Sequence, residues 1–122
     1  MATRRAALRD FETAICRAMS EAVWTTHAIA LAQSLGYLCA HFRPAQTKRG
    51  LWRTAVQGDG AGFPDLVLVR PSDGRCVIAE LKAERGRPSP EQLVWLAAFR
   101  AAGIPTFVWR PSDRETMLKE LA

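Results

Sequence analysis

Residues 62–82 are GFPDLVLVRPSDGRCVIAELK, a sequence that is predicted to form two strands joined by a turn. The apolar runs FPDLVLVR and RCVIAELK flank the segment PSDG at 71–74, whose residues are those that turns favour. If the two arginines beside the turn pair with each other, Asp65 falls opposite Glu80. Directly opposed residues have Cβ atoms about 4.5–5.5 Å apart, so the hairpin is predicted to bring two carboxylates together.

The opposed acids predict a cation site. Like charges that face each other destabilise a sheet, so a purely structural role would favour almost any other pair. A divalent cation between the carboxylates removes the repulsion, because hard cations take carboxylate oxygens as ligands. Side chains alternate along a strand, and Lys82 is therefore expected on the same face as Glu80.

Four short blocks of the chain carry a family resemblance: GFPDL, AELK, GRPSPEQLVWL and a late VWRPSD. The bare pattern of PD followed by ExK resembles the PD-(D/E)xK nuclease superfamily, but alone it is weakly specific. All four blocks together, in this order and spacing, resemble the VRR-NUC (virus-type replication-repair nuclease) domain over roughly residues 20–117. The resemblance implies an α/β fold with a restriction-endonuclease-like core. It divides the chain into an N-terminal helical extension at 1–19 and one compact nuclease domain at 20–122.

The periodicity of apolar residues predicts the order α-β-β-β-α-β-α, which agrees with that core. The hairpin and a following βαβ unit would together form a mixed central sheet. The predicted elements are a helix over about 6–35 that breaks near Ser20, a strand at 37–43, a long loop at 44–61, the hairpin, a helix capped by Ser89 with Gln92, a strand at 106–109, and a last helix capped by Ser112 with Glu115. On the first helix, Leu8, Phe11 and Ile15 lie near one face.

The resemblance also implies roles for the hairpin residues. Asp65 and Glu80 would bind Mg²⁺ directly, with the backbone carbonyl of Leu81 as a third protein ligand. Mn²⁺ is expected to substitute for Mg²⁺. Lys82 would orient or deprotonate the attacking water, or stabilise charge on the phosphate, and the sequence does not choose among these roles.

Two further site residues follow from the same resemblance. The family's first helix begins with a glutamate that contacts the metal through water, and Glu21 fits that position better than its competitor Glu12. The family often has glutamine four residues later, where this chain has Thr25. Gln92 is predicted both as a helix-capping residue and as the family glutamine near the scissile phosphate or the metal-bound water. One side chain is not expected to serve both roles fully.

The positive charge is concentrated in one half of the chain. The net charge is +5, and residues 59–122 hold nine basic and nine acidic residues, so the whole excess lies in residues 1–58. The segment 43–53, RPAQTKRGLWR, has four cations and no acid. Such a segment suits phosphate contact and base stacking, although a solvated loop is the alternative. The residues predicted to bind DNA are Arg43, Lys48, Arg49, Trp52 and Arg53.

The sequence is therefore interpreted as a Mg²⁺-dependent DNA endonuclease. We expect it to be selective for branched or junction DNA, including Holliday junctions, in replication, repair or recombination. One chain supplies one site, so a homodimer is expected to cut two strands. The alternatives are a catalytically silent nucleic-acid-binding module of this fold, or a restriction-type, sequence-specific endonuclease.

Other partners and cofactors are not predicted. The chain has no GxxxxGK[ST] or GxGxxG motif, so a nucleotide cofactor is not expected. No apolar run reaches transmembrane length, and the N-terminus lacks the apolar segment of a secretory signal. A cytoplasmic location without membrane association is expected.

Overall fold

The computed structural model of the chain describes residues 3–42, 45–46, 48–50, 52–53 and 57–122. The elements in these residues are α1 (Arg4–Arg17), α2 (Glu21–Ser34), β1 (Leu38–His41), β2 (Ala45–Gln46), β3 (Trp52–Arg53), β4 (Leu66–Arg70), β5 (Arg75–Leu81), α3 (Pro90–Ala101), β6 (Thr106–Trp109), a 3₁₀ helix (Pro111–Asp113) and α4 (Arg114–Leu121).

The central sheet has four strands in the order β1-β4-β5-β6. The pairs β1/β4 and β4/β5 are antiparallel, whereas β5 and β6 are parallel and are connected through α3. The sheet is therefore mixed, and from α2 onward its main elements follow the predicted order α-β-β-β-α-β-α. The segment predicted as a loop at 44–61 differs in one respect, because β2 and β3 pair with each other there as a short separate ribbon.

The two faces of the sheet carry different environments. Alternate residues of β5, namely Val77, Ala79 and Leu81, are buried in one apolar cluster. Helices α2 and α4 complete that cluster with Trp24, Ala28, Ala32, Met117 and Leu121. The intervening residues of β5 face the other way, toward α3. Glu80 is one of them, so the strand alternation sends its carboxylate away from the apolar cluster.

An aromatic cluster joins α3 to the segment before β4. Phe63 makes edge contacts with Phe42, Trp95 and Phe99 at centroid separations of 5.3, 5.1 and 6.0 Å. The Trp95 indole N–H also donates to the carbonyl of Asp59 at 2.8 Å. These contacts hold the 59–63 segment against α3, close to the start of the PD strand.

The first predicted helix is divided at Ser20, as expected. Ser20 is extended and its side chain accepts a hydrogen bond from Val23 N at 3.2 Å, which caps α2. The first half, α1, packs on the 3₁₀ helix. Its apolar residues Leu8, Phe11 and Ile15 are 58%, 64% and 48% exposed, so this face is not part of the core formed by the described residues.

The predicted capping of the last helix by Ser112 and Glu115 is wrong. A 3₁₀ turn comes first, and α4 begins after Asp113, which makes no side-chain capping bond. The Asp113 carboxylate instead accepts from Arg110 N at 2.8 Å. Ser112 N donates to Glu84 at 3.1 Å, so a distant acid satisfies the backbone group that a local cap would have served.

Candidate active site

The hairpin has the predicted register. Leu66 pairs with Ala79 and Arg70 pairs with Arg75, and one further step along both strands sets Asp65 opposite Glu80. Asp65 is held at this position from two sides. Its carbonyl accepts from Phe42 N at 2.8 Å, and its Oδ2 accepts from Leu81 N at 3.0 Å. The Phe42 backbone therefore fixes the main chain of Asp65, and the Leu81 backbone fixes its carboxylate.

Glu80 is the most perturbed ionisable group of the site. Its side chain is fully buried. Burial raises the pKa of Glu80 to about 9, with the adjacent Asp65 carboxylate acting in the same direction and the Lys82 charge in the opposite direction. Lys82 Nζ lies 3.6 Å from Glu80 Oε1, on the predicted face. Without a cation, Glu80 is therefore expected to be protonated near neutral pH.

One oxygen of Glu80 lacks a partner. Its Oε2 is buried, and among the described residues no group donates a hydrogen bond to it. A buried polar atom left unsatisfied costs roughly 1–3 kcal/mol, so such an atom requires a physical explanation. A bound cation would explain the missing partner, because Oε2 belongs to a carboxylate that faces Asp65.

The donor set fits a hard divalent cation that keeps much of its water. The described part of the chain has no cluster of three or more His, Cys, Asp or Glu side chains arranged for metal binding. Two carboxylates and a backbone carbonyl are nevertheless sufficient for Mg²⁺, which dehydrates reluctantly and is commonly held by one or two carboxylates. Asp65 and Glu80 would be the side-chain ligands, and the carbonyl of Leu81 the predicted backbone ligand.

Gln92 contacts the buried carboxylate and also caps α3. Its Oε1 accepts from Ser89 N at 2.8 Å, and Gln92 N donates to Ser89 Oγ at 3.2 Å, which completes the predicted capping box. Its Nε2 donates to Glu80 Oε1 at 2.9 Å. Gln92 therefore caps α3 and contacts Glu80 at the same time, because the two ends of the amide make different bonds. Its predicted place near the scissile phosphate or the metal-bound water stays a prediction.

A glycine allows the PD loop to approach α3 closely. Gly62 has φ +79°, and an added Cβ would lie 2.4 Å from the Glu91 carbonyl carbon and 2.6 Å from Gln92 N. Both atoms belong to the backbone and cannot move independently of the helix. Gly62 thus sets the separation between the loop that leads to Asp65 and the helix turn that carries Gln92.

These groups open into a cleft of about 410 Å³. It is lined by Glu21, Ala22, Thr25, His41, Asp65, Lys82 and Gln92. A water molecule occupies about 30 Å³ of the liquid, so the cleft has room for a hydrated cation beside a phosphate group.

The cleft distinguishes the two candidate helix acids by position. Glu21 is the first residue of α2 and lines the cleft, whereas Glu12 lines a different pocket with Pro111 and Arg114. Thr25, which stands where the family often has glutamine, donates through Oγ1 to the carbonyl of Glu21 at 2.8 Å. The geometry brings Glu21 to the carboxylate site, and its predicted contact through water stays a prediction.

His41 and Thr25 line the cleft, although the sequence does not predict this position for either residue. His41 pairs with Leu66, the residue after Asp65, and this places it at the cleft. The feature that would have identified His41 is the register between β1 and β4. No tight turn joins these strands, so the sequence offers no local feature from which that register could be derived.

The predicted DNA-binding residues at 43–53 are only partly described. Lys48 and Arg49 are exposed between β2 and β3. Trp52 and Arg53 form β3, but their side chains, and the whole of Arg43, lie outside the described residues. In the described part of the chain, no helix is both long and apolar enough to cross a membrane.

Comparison with known proteins agrees with the fold and the hairpin motif. The VRR-NUC domain family matches residues 20–113. A solved structure of a VRR_NUC domain superposes with a TM-score of 0.60 at 24% identity, covering 84% of this chain and 97% of that one. A Fanconi-associated nuclease 1 homolog from Caenorhabditis elegans is 43% identical over 44 residues. That match spans 36% of this chain and 5% of the nematode protein.

Proposed function

Since the chain belongs to the VRR-NUC domain family, we propose that it is a Mg²⁺-dependent deoxyribonuclease that hydrolyses phosphodiester bonds. The observation that carries the proposal is the buried, unpartnered Glu80 Oε2, on a carboxylate opposite Asp65 and beside a cleft. Lys82 and Gln92 both contact the other oxygen of this carboxylate, Oε1. A silent binding module would gain nothing from this arrangement, because two facing acids weaken a sheet.

The residues of the cleft divide the chemistry among them. A bound divalent cation lowers the pKa of a water and neutralises charge on the phosphate. Asp65 and Glu80 would hold it, together with the carbonyl of Leu81. Glu21, which also lines the cleft, would hold a water. Gln92 donates to Glu80 Oε1 and so leaves Oε2 available to the cation.

Lys82 has the position required for electrostatic assistance. Its ammonium lies 3.6 Å from Glu80 Oε1, and its side chain is 16% exposed at the cleft wall. From there it would stabilise the negative charge that develops on the phosphate, or orient the attacking water. Lys82→Arg keeps the charge and Lys82→Met removes it, so comparison of their cleavage rates separates an electrostatic role from proton transfer.

The substrate proposed is branched DNA in replication, repair or recombination. The partial match is to a protein named as a Fanconi-associated nuclease. The proposed working form is a homodimer, because the described residues of one chain supply one pair of facing carboxylates and two strands must be cut. The experiment is Mg²⁺-dependent cleavage of duplex, single-stranded, flap and four-way-junction DNA, with sedimentation at the same protein concentration. Preferred cleavage of branched DNA by a dimer is expected. Equal cleavage of linear duplex by a monomer would contradict both parts.

The basic segment 43–53 is proposed to bind the DNA phosphates. Its four cations are Arg43, Lys48, Arg49 and Arg53, with Trp52 available for stacking on an unpaired base. Each lost phosphate contact should flatten the slope of log affinity against log salt by about 0.9 on duplex DNA. Alanine at all four cations should therefore weaken binding and its salt dependence together. An unchanged slope would assign this segment to solvated surface.

A further inference from the structure

The turn after β5 folds back beside Lys82. Gly86 N donates to Ala83 O at 2.9 Å, and a Cβ added to Gly86 would lie 3.2 Å from Lys82 Cβ. The turn and the Lys82 stem are therefore in close contact. Lys82 lines the cleft, so Gly86 lies against a residue of the cleft wall.

Arg110 holds this turn in one conformation. Its Nε and Nη2 both donate to the carbonyl of Gly86, at 3.1 and 2.8 Å. The backbone N–H of Arg110 is in turn bound by the Asp113 carboxylate at 2.8 Å. A forked pair of bonds to one carbonyl restricts the turn more than a single bond would. The Arg110 guanidinium is therefore engaged in a contact within the protein, with the carbonyl of Gly86.

The turn presents cations whose charge is not neutralised nearby. Arg85 and Arg87 are exposed, and neither has a hydrogen-bond or ion-pair partner among the described residues. The acid of the turn, Glu84, points elsewhere. Its Oε2 accepts from Ser112 N at 3.1 Å, and its Oε1 lies 3.7 Å from Arg17 Nε. Glu84 therefore makes its contacts with Ser112 and Arg17 rather than with the two arginines of the turn.

We propose that Arg85 and Arg87 bind phosphates of the DNA strand that passes the cleft. Both arginines lie outside the 43–53 segment of the sequence, and their assignment rests on the proposed nuclease function. Guanidinium groups match phosphate oxygens in charge and geometry. Contacts of this kind fix the position of the strand without reading its sequence. A rigid turn beside Lys82 would thus set which phosphate lies at the carboxylates.

Binding measured without cleavage tests this assignment. The affinity of the protein for fluorescent duplex DNA is measured in chelator between about 50 and 200 mM salt. The variant is Arg85→Ala/Arg87→Ala. The matched control is Arg5→Ala/Lys119→Ala, which also removes two exposed cations, neither of them at the cleft. Two lost contacts should flatten the salt slope by about 1.8. Raising the salt from about 50 to 200 mM should therefore weaken DNA binding by the variant by a factor about 12 times smaller than the factor for the wild type. The control should keep the wild-type slope.

The outcomes separate this inference from the nuclease proposal. A wild-type slope in Arg85→Ala/Arg87→Ala, or equal flattening in the control, would overturn the assignment. Absence of DNA binding by the wild-type protein would also overturn it. Binding with the expected slopes, but without Mg²⁺-dependent cleavage, would support the phosphate surface while refuting the nuclease. Arg110→Lys keeps the positive charge but loses the paired hydrogen bonds to the Gly86 carbonyl. It should lower the affinity for DNA without changing the dependence of that affinity on salt.

Discussion

Gln92 Nε2 donates a hydrogen bond to Glu80 Oε1 at 2.9 Å, while Gln92 Oε1 accepts from the backbone N–H of Ser89 at 2.8 Å. The capping bond fixes which end of the amide faces the strand, since a backbone N–H can be satisfied only by the oxygen. The start of α3 therefore presents a donor to Glu80. It occupies one oxygen of Glu80 and leaves the other for a cation.

Gln92→Glu is expected to separate the two roles of this residue. Glutamate at the third position of a helix still completes a capping box, so thermal stability without metal should change little. The donor to Glu80 is lost, however, and hydrogen bonds to charged groups contribute about 1.5–3 kcal/mol. The cleavage rate in Mg²⁺ should therefore fall by roughly 10- to 100-fold. Gln92→Ala, the control, should lose both stability and rate. Wild-type cleavage by Gln92→Glu would show that the contact with Glu80 has no function.

The raised pKa of Glu80 predicts how stability depends on pH. The folded-state pKa is about 9, well above the usual value of 4.5. Between these pH values the unfolded chain releases a proton that the folded protein retains, so stability falls as pH rises. In chelator, the free energy of unfolding should decrease by up to about 1.4 kcal/mol per pH unit from this group.

Urea unfolding of wild-type protein and Glu80→Gln across that range isolates the contribution. The variant cannot titrate at this position, so its stability should decline less with pH than that of the wild type. The contributions of other titrating groups cancel in the difference between the two pH profiles. One of these groups is His27, whose pKa is lowered by burial and by the Arg114 charge. Parallel pH profiles for the two proteins would show that Glu80 titrates in its ordinary range.

Gly62→Ala tests the close approach of the PD loop to α3. Gly58 is the matched control, because its φ of +77° is similar but an added Cβ there meets nothing within 4 Å. Both substitutions carry the cost of a left-handed residue, about 1–2 kcal/mol. Only Gly62→Ala adds a backbone clash, which should cost a further 1–3 kcal/mol or so and reduce cleavage by moving Gln92. Equal losses in both variants would argue against a positioning role.

Glu21→Gln should reduce cleavage far more than Glu12→Gln. Glu21 lines the cleft with Asp65 and Lys82, whereas Glu12 lies in another pocket. Both are exposed residues, so neither substitution should alter folding much. The initial cleavage rate in Mg²⁺ is the measurement. The reverse ranking would transfer the role of helix acid to Glu12.

Local signals predicted most of the fold. The turn at 71–74 and the alternation around it were enough to set Asp65 opposite Glu80, because a hairpin's register depends on neighbours in sequence. The cap formed by Ser89 with Gln92 is local in the same way. The bond from Gln92 to Glu80 is not, since it depends on where α3 crosses the sheet. The same limit explains the error at Ser112, whose backbone N–H is bound by Glu84 from 28 residues away.

The proposed metal site is tested most directly by the cleavage rates of Asp65→Asn and Glu80→Gln as Mg²⁺ is titrated. Glu115→Gln, at an exposed acid of α4, is the control. We predict that wild-type protein and the control cleave DNA only when Mg²⁺ is present. Both site variants should lose activity by about 10³-fold or more, a change of roughly 4 kcal/mol in the barrier. Their thermal stability without metal should stay level or rise, since each substitution removes one of two facing acids. Full Mg²⁺-dependent activity in either variant would contradict the proposed metal site.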